Sequence, residues 1–251
     1  MTYMITTSLG QSAQLVQRAK DFAEKLNVPY RERQKRSLGY FLKIYDGVLL
    51  VYDKNLIFHH RDGSQLAFHP DTAMLRIKSK HDPLVELIGR ESLTILDTTL
   101  GLASDSLVMS YAEHQVTGLE SQQLIHLIVS QGLQTFESGN AALDAAMKRI
   151  RTLCIDSLTY LKNQSDQAYD IIYCDPMFSE QINESNNLSG LRPVANYSPV
   201  SNQWLREAKR VARKKIIIKA HFRDTVFEDF GFRRIIRPNQ KFHYGVIDLE
   251  N

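Results

Sequence analysis

The sequence of 251 residues lacks several features that define common protein classes. It has only two cysteines, which are too few for a disulfide framework and do not form the CxxC spacing of a zinc site. No apolar run reaches the roughly eighteen residues that a membrane-spanning helix needs, and the first residues do not form a basic segment followed by an apolar core. These absences disfavour a disulfide-rich secreted protein and an integral membrane protein, and they predict a cytosolic globular protein.

Common ligand-binding signatures are also missing. The sequence has no complete GxGxxG motif, which disfavours NAD as a ligand, and it has no Gly-Lys-Ser/Thr phosphate loop. His59, His60 and His69 lie close together in the sequence, but no cysteine or acid accompanies them at metal-ligand spacing. We therefore expect no metal site.

The composition is that of an ordinary folded protein, but the basic residues are clustered. Hydrophobic residues make up 43% of the chain and charged residues 24%, which disfavours a disordered or fibrous class. The formal net charge is only +3, yet basic residues concentrate within residues 31–36, 209–215 and 233–241. Such clusters are compatible with a polyanionic partner, and they also occur on solvated helix faces.

The first part of the chain has the pattern of a small α+β unit. We define residues 1–75 as an N-terminal subdomain and consider it a candidate for substrate recognition. Its predicted elements are a strand over residues 3–8, an amphipathic helix over 10–27, and short antiparallel strands at 47–52, 56–58 and 65–68. A connecting helix is predicted around residues 82–88, with Pro83 in its first turn.

The rest of the chain, residues 76–251, alternates between strand and helix patterns. Alternation of this kind predicts an α/β fold with a doubly wound, mostly parallel, seven-stranded sheet. The predicted strands are residues 93–97, 115–120, 151–156, 169–174 and 214–219 with a closing pair at 232–236 and 242–249, and helices are predicted at 104–114 and 121–136. Cys154 and Cys174 fall within predicted buried strands, so both are expected to be core residues.

Four successive predicted strands end at or next to an acidic residue. These residues are Asp97, Glu120, Asp156 and Asp175. Ligands of doubly wound sheets bind outside the carboxyl ends of the strands. Carboxylates gathered in one crevice repel one another unless a ligand or water lies among them. The four acids therefore predict the ligand-binding edge of the sheet.

The loop after the first of these strands combines an acid with small residues. Thr99 and Gly101 would let the backbone pass close to a bound molecule before the next helix begins. A ligand with a ribose and an amine but no phosphate suits the acids, and S-adenosylmethionine (SAM) has these parts. Glu120 would hold the ribose hydroxyls and Asp156 the adenine amine. Asp97 and the Gly101 loop would hold the amino-acid end.

A second informative pattern lies at residues 169–178, where an apolar run ends at Asp-Pro-Met-Phe. Asp175 could accept a hydrogen bond from an exocyclic amine, Pro176 would restrict the backbone, and Phe178 could stack on a base. The alternative interpretation is a strand that simply ends in an Asp-Pro turn. The acids upstream favour chemistry on a nucleobase amine.

Residues 94–105 and 170–178 together resemble a class I SAM-dependent methyltransferase. More narrowly, residues from about 84 to 249 resemble the RsmJ family, which methylates guanine N2 in small-subunit 16S ribosomal RNA. The resemblance implies a Rossmann-like methyltransferase sheet, SAM as the methyl donor and ribosomal RNA as the partner.

The motifs of this family imply roles for individual residues. Those implied for cofactor binding are Asp97, Thr99, Gly101, Asp105, Glu120, Asp156 and Ser157. Those implied for catalysis are Asp175, Pro176 and Phe178, and those implied for substrate binding are Met177, Arg192 and Lys219. Transfer of a methyl group from sulfur is an in-line displacement, so such residues serve mainly to align the amine with the donor.

Other functional classes remain open on the sequence alone. A non-catalytic nucleotide- or RNA-binding protein could keep the same fold, and an NAD-dependent oxidoreductase could use the same sheet. Among methyltransferases, those acting on DNA adenine or on a protein glutamine would also present a planar amine or amide to residues 175–178.

Overall fold

The protein contains two sheets, which are formed by successive parts of the chain. The structure, a computed structural model, describes residues 1–9, 12–79, 81–176 and 200–249. Within these ranges the first sheet has four strands in the order β1-β2-β3-β4, and the second has seven in the order β10-β11-β9-β8-β5-β6-β7. We call them the N-terminal sheet and the main sheet. None of the helices in the described ranges is both long and apolar enough to cross a membrane.

The N-terminal sheet combines one parallel and two antiparallel pairings. Its elements are β1 (Tyr3–Thr7), α1 (Ala13–Lys25), α2 (Leu38–Leu42), β2 (Gly47–Val51), β3 (Leu56–His60) and β4 (Gln65–Ala67). Strand β1 pairs parallel to β2, whereas β2, β3 and β4 form the predicted antiparallel meander. Helix α1 buries Leu15, Ala19 and Ala23 at helical spacing. The predicted small N-terminal sheet is therefore present, while its boundary at residue 75 stays a prediction.

The two sheets share one hydrophobic core. Phe68, just after β4, packs so closely on helix α6 (Gln123–Thr135) that a Cβ atom on Gly132 would lie 2.3 Å from its side chain. Arg18 of α1 also donates a hydrogen bond to Gln131 of the same helix at 3.1 Å. Glycine at position 132 thus allows the N-terminal part to pack closely on α6, a helix that also contacts the main sheet.

The main sheet has the predicted doubly wound arrangement. Helices α3 (Asp71–Lys78) and α4 (Pro83–Ile88) precede it. Its elements are then β5 (Thr94–Asp97), α5 (Ser104–Tyr111), β6 (Gln115–Glu120), α6, α7 (Ala141–Arg149), β7 (Arg151–Cys154), α8 (Ser157–Lys162), β8 (Tyr169–Cys174), α9 (Asn202–Val211), β9 (Ala212–His221), α10 (Val226–Asp229), β10 (Arg233–Ile235) and β11 (Phe242–Asp248). Strands β5 to β9 are parallel, and β11 lies antiparallel between β9 and β10. The predicted fold class is confirmed.

Central strands of the main sheet are buried on both faces, which explains their continuous apolar runs. Ile171 and Tyr173 of β8 point to the core shared with the N-terminal sheet, and Ile172 points to a separate core with Trp204 of α9. The predicted helix over residues 104–114 is shorter than expected. It ends at Tyr111, and Glu113 adopts a left-handed φ of 68°.

One of the two cysteine predictions is wrong. Cys174 is buried in the centre of the main sheet, but Cys154 is exposed. The physical reason is that Cys154 ends β7, which is an edge strand and pairs only with β6 among the described strands. An apolar run does not distinguish an edge strand from a central one.

Candidate active site

All four predicted acids lie at the carboxyl edge of the main sheet, and three of them lie at the ends of the adjacent strands β5, β6 and β8. Asp97 ends β5, Glu120 ends β6, and Asp175 directly follows β8. These strands are parallel and adjacent, with β5 between the other two. Their carboxyl ends therefore meet at one crevice, as the strand-end pattern predicted.

Asp97 organises the loop that leads from β5 to α5. Its Oδ1 accepts a hydrogen bond from the backbone N–H of Thr99 at 3.0 Å, and its Oδ2 accepts one from the Ser106 hydroxyl at 2.6 Å. Only 1% of the residue is exposed. Burial raises the pKa of Asp97 to about 7, although both hydrogen bonds oppose the shift.

The rest of this loop is shaped by two residues with left-handed backbone. Gly101 has a φ of 48° and Ala103 a φ of 62°, and Ala103 leads directly into α5. A Cβ atom on Gly101 would come no closer than 3.8 Å to its surroundings, so the space beside it is open. Leu100 packs on Gly118 of β6, where a Cβ atom would lie 2.5 Å from the leucine side chain. These features hold the loop close to the end of β6 and leave open space beside Gly101.

Glu120 is held by backbone groups at the end of β6. Its Oε1 accepts a hydrogen bond from the N–H of Gln122 at 2.7 Å, and the N–H groups of Gly101 and Ser121 also donate to the carboxylate. Burial raises the pKa of Glu120, and these hydrogen bonds partly offset that rise. A carboxylate fixed in this way is a rigid acceptor for ligand hydroxyl groups.

The fourth acid, Asp156, follows β7 at the same edge, but its carboxylate caps a helix. Asp156 lies two residues beyond β7 and caps α8, because its Oδ1 accepts hydrogen bonds from the backbone N–H and the hydroxyl of Thr159, both at 2.9 Å. Ser157 is the first residue of that helix. The cap accounts for one carboxylate oxygen of Asp156, and contact of Asp156 and Ser157 with a cofactor stays a prediction.

Asp175 links the β5 loop to the opposite side of the crevice. Its backbone N–H donates to the Thr99 hydroxyl at 2.6 Å, and its Oδ2 lies 2.6 Å from the Lys219 ammonium. Its Oδ1 is buried and has no hydrogen-bond partner within the described part of the chain. Pro176, the next residue, is buried. The Asp-Pro pattern after β8 and the loop after β5 are therefore joined at Thr99.

Lys219 belongs to a buried ionic network behind Asp175. Its ammonium also lies 2.9 Å from Asp105 Oδ2, which accepts a further hydrogen bond from the Tyr173 hydroxyl at 2.9 Å. Asp105 Oδ1 pairs with Arg76 of α3. Both oxygens of Asp105 are thus occupied by protein groups, which favours a positioning role over contact with a cofactor.

The charges in this network set the protonation of its members. Burial would raise the pKa of Asp105, but Lys219 and Arg76 lower it well below its usual range. Burial lowers the pKa of Lys219, yet the carboxylates of Asp105 and Asp175 raise it well above its usual range. Burial and the nearby Asp105 carboxylate raise the pKa of Asp175 to about 6, even though Lys219 opposes the shift. At neutral pH all of these groups are charged.

Two residues of the site were missed by the sequence patterns, and three predicted residues fall outside the described ranges. Arg76 and Tyr173 were not predicted, because no motif connects them to the strand ends. Met177, Phe178 and Arg192 fall within residues 177–199, which lie outside the described residues. In the described part of the chain, no group of three His, Cys, Asp or Glu residues is arranged to hold a metal ion.

Relatives of the chain point in the same direction as the site. A family model described as "Putative SAM-dependent methyltransferase" matches residues 59–230. The uncharacterized protein YpiP of Bacillus subtilis is 37% identical over 97% of this chain and 98% of its own length. The ribosomal RNA small subunit methyltransferase J of Francisella tularensis is 32% identical over 53% of this chain. The matched part spans only 57% of the Francisella protein.

A second methyltransferase J and a solved structure extend the comparison. The Buchnera aphidicola protein of that name is 28% identical over 58% of this chain and 60% of its own length. The crystal structure of the SAM-dependent methyltransferase NGO1261 from Neisseria gonorrhoeae covers 98% of this chain and 95% of that chain, with a TM-score of 0.64 and 15% identity. That likeness shows the fold. Because the family model covers most of the chain, the protein belongs to the SAM-dependent methyltransferase family, with SAM as its cofactor.

Proposed function

We propose that this methyltransferase acts on an exocyclic amine of a nucleobase, namely guanine N2 in small-subunit ribosomal RNA. The observation that carries the proposal is the state of the Asp175 carboxylate. Oδ2 is paired with Lys219, whereas Oδ1 is buried and has no partner among the described residues. A buried acceptor without a donor is costly. The amino group of a planar base entering the crevice would supply the missing N–H.

The residues at the ends of β5 and β6 fit the methyl donor. The open space beside Gly101 admits a ligand close to the backbone, and the backbone-held Glu120 carboxylate can accept hydrogen bonds from the ribose hydroxyls. Asp97 keeps the loop in shape, and together with the Gly101 loop it would hold the amino-acid end of the donor. When bound, SAM supplies an electrophilic methyl group on a positively charged sulfur.

Asp175 would act on the amine in two ways. By accepting its N–H, the carboxylate orients the nitrogen towards the methyl group and stabilises the positive charge that develops as the N–C bond forms. The raised pKa of Asp175, about 6, leaves it ionised at neutral pH and sufficiently basic to take the proton from the methylated nitrogen. Lys219 holds the carboxylate in place through the 2.6 Å contact with Oδ2.

RNA as the substrate is supported by the names of two relatives, which are ribosomal RNA methyltransferases, and by the basic residues of this chain. We propose that Phe178 stacks on the target base beside Met177, that Arg192 and Lys219 contact phosphate or the base oxygen, and that the N-terminal subdomain of residues 1–75 helps to recognise the substrate. Such a reaction would take place in the cytoplasm, where ribosomes are assembled.

The deciding experiment maps methylated nucleosides of ribosomal RNA by mass spectrometry in cells with and without the gene. One N2-methylguanosine should disappear from the small-subunit RNA of the deletion strain and return with the wild-type gene, but not with Asp175→Asn. Unchanged ribosomal RNA, together with a lost methyl mark on DNA or on a protein, would overturn the substrate assignment.

A parallel measurement separates an enzyme from a binding protein with the same fold. Isothermal titration of the purified protein should show SAM binding that Asp175→Asn leaves nearly unchanged, because the variant keeps the shape of the side chain and alters only the acceptor side. Tight SAM binding without methyl incorporation into any RNA would favour the non-catalytic alternative.

A further inference from the structure

A surface of rings and cations borders the active site where β9 ends and β11 begins. We define it as the aromatic ledge, formed by Phe222, Arg223, Arg237, Lys241 and Phe242. The antiparallel register places His221 opposite Phe242 and Lys219 opposite Tyr244. We propose that this ledge binds the nucleotides next to the target base in single-stranded RNA; the inference rests on the proposed function.

The rings of the ledge form a continuous path from the catalytic carboxylate to solvent. The Lys219 ammonium, which contacts Asp175, lies 5.9 Å from the centre of the Phe242 ring. The Phe242 and His221 rings are 5.9 Å apart, and the His221 and Phe222 rings are 4.7 Å apart. Phe222, at the outer end, is 38% exposed. A nucleotide beside the target base would therefore meet an exposed ring that is already held on its inner side.

Cations accompany the rings along this path. The Arg223 guanidinium lies 5.1 Å from the centre of the Phe222 ring, and Arg237 lies 5.4 Å from that of Tyr244 and 3.4 Å from the carbonyl oxygen of Phe242. Among the described residues, the Arg223 and Arg237 guanidinium groups contact rings and a backbone oxygen and have no carboxylate partner. Their charge is thus available to phosphate groups.

The ledge also has a groove and a rigid support. Phe222, Arg237, Lys241 and His243 contribute to the lining of a groove of about 410 Å³, which is within the roughly 300–1,000 Å³ of typical small-ligand pockets. Behind it, the Arg234 guanidinium donates to the Phe222 carbonyl oxygen and to His243 Nδ1, the latter at 3.0 Å. The backbone that presents Phe222 is therefore fixed before any ligand arrives, which lowers the entropy cost of binding.

Single-stranded RNA is the occupant that these features fit best. Exposed rings interleaved with arginines bind bases by stacking and phosphates by charge, whereas a duplex keeps its bases stacked inside. A base must also leave its stack to reach a buried carboxylate such as Asp175. A strand with one base in the crevice and its neighbour on Phe222 satisfies both requirements.

The test compares Phe222→Ala with a matched control elsewhere on the surface. Tyr111 is the control, since it is the last residue of α5, a helix that begins at the crevice and ends away from it, and it lies outside the proposed substrate-binding segments. We expect Phe222→Ala to raise KM for ribosomal RNA about 5- to 150-fold, the range expected for one lost base stack. SAM affinity and kcat should change little, Phe222→Tyr should restore KM, and Tyr111→Ala should match the wild type.

Salt dependence tests the charged part of the ledge. Binding of a fluorescein-labelled single-stranded RNA of about ten nucleotides, measured by fluorescence anisotropy, should weaken with salt. Arg223→Gln should reduce the slope of log affinity against log salt by about 0.7, the amount expected for one lost phosphate contact to a single strand. Arg151→Gln, at the exposed start of β7 and so at the opposite edge of the sheet, should leave the slope unchanged.

The possible outcomes separate the ledge from the proposed function. If the wild type methylates ribosomal RNA and Phe222→Ala has the KM of Tyr111→Ala, the ledge is overturned while the function stands. If the wild type methylates no RNA, the function fails, and the anisotropy measurement still decides about the ledge. In that case the ledge is refuted if Phe222→Ala binds RNA with the same affinity as the wild type and thermal melting shows that both proteins are folded.

Discussion

Replacing Lys219 by methionine removes the cation that Asp105 and Asp175 share. The ammonium lies 2.9 Å from Asp105 Oδ2 and 2.6 Å from Asp175 Oδ2. At an effective dielectric constant of about 20, each pair is worth about 6 kcal/mol of Coulomb energy. Desolvation offsets much of this, and about a fifth of the Lys219 and Asp175 side chains is exposed (21% and 23%). A net loss of about 2–4 kcal/mol in the free energy of unfolding is therefore expected.

The larger effect concerns the pKa of Asp175. Lys219 is the group that lowers this pKa most, against burial and the Asp105 carboxylate that raise it to about 6. Without the cation, we expect the pKa of Asp175 to rise above neutral pH, because burial and the Asp105 carboxylate then act unopposed by Lys219. Most of Asp175 would then be protonated at pH 7, where the wild-type side chain is mostly ionised. Methyl transfer at pH 7 should drop about tenfold and recover towards pH 9.

The assay is incorporation of radiolabelled methyl groups from SAM into ribosomal RNA of the deletion strain, measured between pH 6 and 10. Lys215→Met is the matched control, because it removes the same charge from the same strand and the Lys215 ammonium donates to the Leu87 carbonyl oxygen instead of a carboxylate. A loss of activity in Lys219→Met that is equal at every pH would refute the reasoning, as would an equal loss in Lys215→Met.

Three further predictions concern the donor side of the crevice. Glu120→Gln should weaken SAM binding by about tenfold in isothermal titration, because a charged acceptor for the ribose becomes neutral; unchanged affinity would exclude Glu120 from the cofactor site. The pKa of Asp97 is about 7, above the value near 3.9 of an unfolded chain, so the wild type should lose stability as pH rises from about 4 to 7. Asp97→Asn should abolish this loss, which amounts to about 3 kcal/mol in the free energy of urea unfolding between pH 5 and pH 8; parallel pH curves for the two proteins would contradict the assignment. Gly118→Val should destabilise the fold by about 1–3 kcal/mol, since a Cβ atom there would lie 2.5 Å from Leu100, and a thermal melt like that of the wild type would show that the loop can move aside.

The strand-end acids could be predicted from the sequence for two reasons. The apolar pattern gives the bounds of each strand, and the parallel topology brings the carboxyl ends of the strands to one edge. Strands 115–120 and 169–174 have the predicted bounds, and parallel pairing brings Glu120 and Asp175 to one edge without any knowledge of side-chain packing. The small residue at Gly101 was informative for a similar reason, since its left-handed φ is a property of the local backbone. Local sequence patterns were therefore sufficient to predict where most residues of the proposed donor side lie.

The ionic network could not be predicted in the same way. Arg76 reaches Asp105 only because α3 packs on α5, and no periodicity in the sequence defines that packing. Tyr173 resembles any other apolar strand residue until its hydroxyl is seen to donate to Asp105 at 2.9 Å. Cys154 was misplaced because the order of strands in a sheet, and hence which strand lies at its edge, depends on long-range pairing. The predicted roles of Met177, Phe178 and Arg192 stay predictions.

The contact between Thr99 and Asp175 has a consequence for how the two substrates communicate. The Thr99 hydroxyl joins the loop beside the proposed donor pocket to the backbone of Asp175 at 2.6 Å, and the Thr98 hydroxyl donates to the nearby Tyr173 carbonyl oxygen at 2.9 Å. We therefore expect a movement of this loop, when SAM binds or its demethylated product leaves, to shift the backbone at Asp175. Cofactor exchange and alignment of the base would then be mechanically linked.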